Sequence, residues 1–509
     1  MTVVKRALPH LRDVLRSLMD SPAGVASLVP DQLCPLALEV AAELGVPGYI
    51  FCSSNLMALS TIIRAPELDK TTTGEFRDLP EMIRLPGLVP LHGSELVDTV
   101  QDRANQAYAL VVELGKLYLL AQGLVVNTFD AMERETAVAW KELSDKGVYP
   151  PVYAVGPIIR QPCSSESSKH SSLRWLDDQP DGSVLYLCFG SGGTLSTEQT
   201  AELAAGLEAS KQKFLWVVQF GNDSDKCGSY FGGGSRDEDN PVNYLPEGFV
   251  ERTKGTGLAV PLWAPQVEIL SHPAVGGFVS HCGWSSTLEA VAAGVPTIAW
   301  PLYAEQRMNA KMLSERAGMA LRPKARVDGV ATRGEVAAVA RELMVGERGA
   351  FARNKVRELR EEMGKCFVPD GSSRKALEAV AGSSCPLYFI RRRSISAVHI
   401  HVLSVNIPWL FRVNVNRRPS EQLRADLFPD AMTTRLAITI AACFGATVLM
   451  NSTHKTYKTQ AKQNIRHTQP GTQATLTPEC TLKTVASTLI YHENFCQTST
   501  PPERNDIQR

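Results

Sequence analysis

Between Trp263 and Gln306 the chain reads WAPQVEILSHPAVGGFVSHCGWSSTLEAVAAGVPTIAWPLYAEQ, which sets indole, amide, imidazole, hydroxyl and carboxylate groups on an apolar scaffold. Trp263 follows the strand-like run Leu258–Leu262 and precedes Ala264-Pro265-Gln266. An indole there can stack on a flat base, with the main chain of Ala264 and Pro265 meeting the base edge and Gln266 reaching a ribose; it could also simply cap a core, since Trp is often buried. Ser280-His281-Cys282-Gly283-Trp284-Ser285-Ser286 joins a strand to a helix that continues through Thr287 and Leu288. Glycine lets backbone approach a ligand, and free N–H groups at a helix start attract an anion. His281 and Ser286 add donors suited to a diphosphate. Glu289, one turn further, can accept from two ribose hydroxyls, or simply sit where a helix dipole favours an acid.

Three other clusters could join this chemistry. Gly190-Ser191-Gly192-Gly193-Thr194 ends another strand and could close over the same phosphates. Tyr303-Ala304-Glu305-Gln306 opens a helix, where an acid and an amide can grip sugar hydroxyls, or serve as ordinary helix-start decoration. Asp31 ends a short apolar run near the start, where a carboxylate can orient a catalytic imidazole or merely close a turn. Together these parts suit a nucleotide diphosphate sugar.

Such groups need a scaffold, and the patterning supplies one. Helical spacing over Pro9–Met19, Leu36–Leu44 and Gln106–Gln122 alternates with strand-like Ala26–Val29, Val46–Cys52 and Leu124–Asn127. This rhythm predicts a parallel sheet covered by helices, with ligands at the carboxyl edge of its strands. Polar, Ser-rich residues 160–172 read as a linker. A second α/β unit follows: strands at Ser183–Phe189, Lys213–Val218, Leu258–Leu262, Gly277–Ser280 and Thr297–Trp300, and helices at Thr197–Ala209, Ser286–Ala293, Ala304–Arg316, Arg333–Met344, Ala350–Gly364 and from Ser372. Asn222–Asn243 is a Gly/Asp-rich loop. The division is therefore 1–158, a linker at 159–175, 176–382, and a tail at 383–509 that loses the alternation and reads as poorly structured.

Composition narrows the class. The 509 residues carry 53 basic and 53 acidic side chains, so no basic face advertises nucleic acid. Eleven cysteines without C-x-x-C spacing suit a reduced compartment and argue against structural zinc. The opening MTVVKRALPHLRDVL is not secretory in pattern. The tail's longest apolar run, Leu436–Met450, falls short of the ~18 residues that span a bilayer. A cytoplasmic monomer without membrane insertion is expected.

The Trp263–Gln306 block resembles the diagnostic box of plant family-1 UDP-glycosyltransferases: Trp first, Pro-Gln after it, His-Cys-Gly-Trp inside, Glu289, and Gln last. Supporting landmarks are Trp175-Leu176-Asp177, Val184-Leu185-Tyr186, Phe189-Gly190-Ser191 and Leu245-Pro246-Glu247-Gly248-Phe249. Phe189–Thr194, Ser229-Tyr230-Phe231 and Tyr303–Gln306 look most like the hydroquinone and monolignol glucosyltransferases, and the likeness covers roughly Thr2–Gly382. It implies GT-B architecture, with two Rossmann-like domains across a cleft. It also implies inverting glucose transfer from UDP-glucose, a co-substrate rather than a resident cofactor, to a small phenol, with no metal. By position, Trp263 and Ala264 would take uracil, and Gln266 and Glu289 the ribose. Ser191, His281, Trp284, Ser285 and Ser286 would surround the diphosphate, with Glu305 and Gln306 on glucose. Asp31 would steady the histidine that deprotonates the phenol.

Three departures stand out. The family's catalytic histidine lies in a Gly-His pair, and this chain has no such dipeptide. Counting back from Asp31, an opening part of the N-terminal domain is expected to be absent, and His10, in a helical segment, reads as structural. The tail after Gly382 departs from the family's short end. Ser285 stands where the family usually has Asn, which predicts weaker donor contact. A UDP-sugar-binding fragment or pseudoenzyme is therefore the alternative to an active transferase. A nucleotide-dependent oxidoreductase is disfavoured, because no G-x-G-x-x-G follows the first strand of either domain.

Overall fold

The computed structural model describes residues 2–21, 24–160, 170–223 and 240–384, all within one compact unit, Met1–Val448. Most of the Asn222–Asn243 loop, residues 161–169, Ser229–Phe231 and the tail from 385 lie outside the described residues. A helix over Ser171–Asp177 begins inside the expected linker and runs past its end.

The first half forms a parallel sheet, β1 (Tyr49–Cys52), β2 (Gly123–Val126) and β3 (Val152–Ala154), in that order. Residues 28–32 extend it along β1. Leu28 N–H donates to Pro47, Tyr49 N–H to Leu28, Phe51 N–H to Pro30, and Gln32 N–H to Phe51. The one rung missing from this ladder belongs to Pro30, which has no N–H. The apolar run expected at Ala26–Val29 is thus a strand that proline breaks into two bridges.

The second half is a six-stranded parallel sheet: β4 (Val184–Cys188), β5 (Lys213–Val218), β6 (Gly257–Pro261), β7 (Val275–Ser280), β8 (Thr297–Ala299) and β9 (Ala320–Leu321). Its order, β6-β5-β4-β7-β8-β9, reverses direction between β4 and β7. Strands β4, β5 and β8 are buried almost end to end, as expected where helices cover both faces. Helices Thr197–Ser210 and Arg333–Val345 bury Leu203, Leu207, Val336 and Leu343 with one set of strand residues. Ile269, Leu270 and Ala290 pack with Tyr186, Phe278 and Leu215 in another core.

A further apolar core joins the two halves. Met57, Phe76 and Phe129 of the first pack with Trp284, Leu288, Met308 and Leu313 of the second. An apolar junction of this kind resists the relative motion expected of lightly docked domains.

Two helices also differ from expectation for physical reasons. The helix expected over Ala304–Arg316 runs regularly only over Gln306–Lys311, then widens at Met312–Arg316, where Ala317 N–H reaches back to Met312. The helix Leu56–Thr71 escaped the periodicity because nearly every residue in its first turns is buried, which erases the amphipathic stripe. Asn55 caps it, accepting from Ala58 N–H at 2.7 Å. Among the described residues no helix is long and apolar enough to cross a membrane.

Candidate functional site

The reversal of strand order opens a crevice beyond the carboxyl ends of β4 and β7, where open α/β sheets bind ligands. Gly190-Ser191 leaves β4 and His281 leaves β7, so the two glycine-bearing turns face each other. A Cβ on Gly190 would lie 2.7 Å from His281 Nε2, and one on Gly283 would lie 2.4 Å from it. The imidazole therefore lies in a slot that only glycine leaves open. Burial pulls its pKa down to about 4, so it is neutral at physiological pH. Its Nδ1 is buried without a hydrogen-bond partner.

The helix Trp284–Ala293 starts directly after this slot. The first N–H groups of a helix have no intrahelical partner and point outward, here beside His281 and the exposed Ser285. Cys282, held at φ 64°, turns the chain between strand and helix. Burial pushes its thiol up to about 12, so it stays protonated and has no nucleophilic character. The side chains of this segment divide by role. Ser286, Thr287 and Leu288 are all buried, and the Ser286 hydroxyl accepts from Gln266. The Trp284 indole donates to the Asn127 carbonyl of the first half at 2.6 Å. Trp284 stands in the first turn, whereas the Thr287 N–H already donates to the Gly283 carbonyl at 3.0 Å and Leu288 lies inside the helix, so Thr287 and Leu288 are structural here.

Trp263 is presented differently. Its N–H bonds the Pro261 carbonyl at 2.6 Å around Leu262 at φ 62°. This strained three-residue turn throws the indole outward, where it is 47% exposed. His170 meets it edge-on, with ring centroids 5.9 Å apart. Ala264 and Pro265 are buried behind it. Gln266 Nε2 donates to Glu289 Oε2 at 2.7 Å and to Ser286 Oγ at 2.9 Å. Burial raises the Glu289 pKa and the Gln266 bond partly offsets that rise, so the acid and the amide form one hydrogen-bonded pair.

At the far end, Gln306 is buried and its Oε1 accepts from the N–H groups of Leu302 and Tyr303 at 2.9 and 3.0 Å. Its amide nitrogen is the part left to offer a hydroxyl. Glu305, half-buried, follows Ala304 at φ 55°. Among the described residues five non-glycine positions have positive φ, and three of them (Leu262, Cys282 and Ala304) adjoin Trp263, His281 and Glu305. Such conformations cost about 1–3 kcal/mol each and cluster at working sites.

Asp31 stands apart. It is 8% exposed, its pKa is raised by burial, and its Oδ1 accepts from Leu33 N–H at 2.9 Å. Among the described residues no imidazole is hydrogen-bonded to it, and His10 lies exposed on the helix Thr2–Met19. Asp31 does share the carboxyl edge of the first sheet with Ser53, Ser54 and Asn55, which follow β1.

Sequence reasoning missed the first-half residues that touch this site. Ser54 Oγ donates to Glu305 Oε1 at 3.1 Å. Asn55 bonds Asn309, and Asn309 bonds the Cys282 carbonyl at 2.9 Å. Asp98 pairs with Arg307, and the buried Lys311 with Glu95 at 2.9 Å. The one local signal was the Ser-Ser ending of β1; Asn309 sits in an ordinary helix and carries none.

Residues 162–327 match the family described as UDP-glucoronosyl and UDP-glucosyl transferase. The hydroquinone glucosyltransferase of Rauvolfia serpentina is 47% identical over 378 residues, covering 74% of this chain and 79% of that protein. UDP-glycosyltransferase 72B1 of Arabidopsis thaliana is 46% identical over 381 residues, covering 74% and 78%. Among solved structures, UGT2 of Phytolacca americana complexed with UDP-2fluoro-glucose and pterostilbene has a TM-score of 0.67 at 44% identity, covering 75% of this chain and 81% of that one.

Proposed function

We propose, for a chain that belongs to the UDP-glycosyltransferase family, that it transfers glucose from UDP-glucose, with inversion, to the hydroxyl of a small phenol such as hydroquinone or a monolignol. The observation that carries this is the crevice at the strand reversal. There an exposed indole, a hydrogen-bonded Gln266–Glu289 pair and a neutral imidazole beside a helix start follow one another in the order of a base, a ribose and a diphosphate.

In this reading Trp263 stacks on uracil, while Ala264 and Pro265 carry the backbone at its edge. Gln266 and Glu289 turn from each other to the ribose hydroxyls. Ser191, His281 and the N–H groups of Trp284, Ser285 and Ser286 take the diphosphate, with Cys282 and Gly283 shaping the turn. As the anomeric bond breaks, charge grows on the leaving diphosphate, and fixed donors there lower the barrier. Glu305 and the Gln306 amide nitrogen hold the sugar, beside Tyr303 and Ala304. Asp31 lines the acceptor side of the first sheet. We expect a cytoplasmic monomer, which size-exclusion chromatography and fractionation would check.

A second reading keeps the donor site without turnover. It is favoured by the environment of Asp31, whose Oδ1 accepts from the Leu33 backbone rather than from an imidazole. Incubation of the purified chain with UDP-glucose and simple phenols separates the two. Glucoside formation supports the transferase. UDP binding without product supports the binding protein, and absence of UDP binding removes both.

A further inference from the structure

We propose that the Ser54–Asn55 corner of the first lobe is a positioning clip for the donor crevice, holding the Glu305 carboxylate directly and the Cys282 backbone through Asn309. The inference rests on the donor reading above.

Direction in this chain of bonds is dictated by chemistry. The Cys282 carbonyl can only accept, so Asn309 must present its Nδ2 there, as it does at 2.9 Å. That leaves Asn309 Oδ1 facing Asn55, which must supply its own Nδ2. Asn55 Oδ1 is then left for a donor, and it accepts from Ala58 N–H at 2.7 Å. Every amide group along the path is matched, and both asparagines are 0% exposed. Water cannot replace any of these partners without opening the junction.

The clip acts where the backbone most needs holding. Cys282 and Ala304 are both left-handed, at φ 64° and 55°, a conformation that persists only where surroundings over-determine it. Both carbonyls are pinned from the first lobe: that of Cys282 through Asn55 and Asn309, and that of Ala304 by Asp98 N–H at 3.1 Å. Ser54 adds a bond to Glu305 at 3.1 Å. The lobe that would receive the acceptor therefore sets the posture of the diphosphate turn and of the sugar carboxylate.

The test uses the full chain. Asn55→Ser keeps a competent helix cap but is too short to reach Asn309. Calorimetry would compare UDP with uridine, and amide hydrogen exchange would follow residues 281–287. Loss of the bond should weaken UDP about tenfold, the order of one buried hydrogen bond, while uridine is unchanged and exchange over 281–287 rises. Ser54→Ala should weaken UDP-glucose relative to UDP. Equal weakening of UDP and uridine would mean a general structural role and overturn the clip, as would exchange over 281–287 identical to the parent. Failure of the unaltered chain to bind UDP would overturn the donor reading instead, and the exchange comparison would still decide whether the corner holds the turn.

Discussion

The donor crevice and the Asp31 corner are built on opposite principles. In the crevice the polar groups engage one another: Gln266 with Glu289 and Ser286, and Gln306 with the turn at 302–303. Strained residues beside Trp263, His281 and Glu305 fix directions that a flexible loop would sample. At the other corner, burial raises the Asp31 pKa and backbone holds it in place. The lesson is that the crevice groups are held by side-chain partners from both halves, whereas the Asp31 carboxylate is held by its own backbone. Preorganised donors contribute most because they need no rearrangement as charge develops.

Experiments can break that contrast, beginning with turnover. Asp31→Asn should lower phenol glucoside formation by ~10²-fold or more, the usual worth of general-base assistance, with UDP affinity unchanged. A variant as active as its parent removes Asp31 from the chemistry.

Trp263→Ala strikes the crevice itself. Base stacking on an aromatic is worth roughly 1–3 kcal/mol, so UDP affinity by calorimetry should fall about fivefold to 150-fold. An unchanged dissociation constant would sink the stacking role.

Gly283→Ala adds a methyl group aimed at His281 Nε2, at 2.4 Å before any adjustment. Gly283 has an ordinary φ of −59°, so the collision alone is tested. Overpacking of this kind costs about 1–3 kcal/mol of stability, and if the His281 ring is displaced to relieve it, UDP affinity should drop about tenfold, ~1.4 kcal/mol. Wild-type affinity would show that the slot is not tight.

The His281 imidazole also leaves a signature in pH. Its pKa falls from 6.5 in the unfolded chain to about 4 when folded. Between those values the unfolded state binds a proton that the folded state refuses. Stability is therefore full above pH 6.5 and is lost as pH falls toward 4, by at most about 1.4 kcal/mol per pH unit. Urea titrations at several pH values should show a shallower acid loss in His281→Gln than in the parent. Parallel curves would mean that burial does not neutralise this ring. Buried Asp31 and Glu133 shift the opposite way, which is why the difference between the two proteins is the quantity to read.

The smallest effect is expected at the exposed Ser285. Ser285→Asn lengthens a donor at the helix start, and UDP-glucose affinity should rise a few-fold, about the worth of one exposed hydrogen bond. No change would indicate that residue 285 does not reach the donor.

What the chain determined by itself was the list of parts and their local frames. Lys213–Val218 was legible as a strand to the residue, and the ends of β4 and β7 nearly so, because a fully buried parallel strand writes an unbroken apolar run between turn residues. Trp263, Gln266, His281, Glu289, Glu305 and Gln306 could be proposed from the chain because polar side chains there follow or interrupt apolar runs. Tertiary structure alone decided which groups of these residues are free to act. It spent the Trp284 indole on Asn127, turned Leu288 into the core, bound Gln306 Oε1 to its own turn, and made Asn55 and Asn309 partners across the two lobes. No local pattern encodes those choices, since a hydrogen bond between residues 254 positions apart leaves no periodicity in either segment. It exists only once two separately readable sheets have packed.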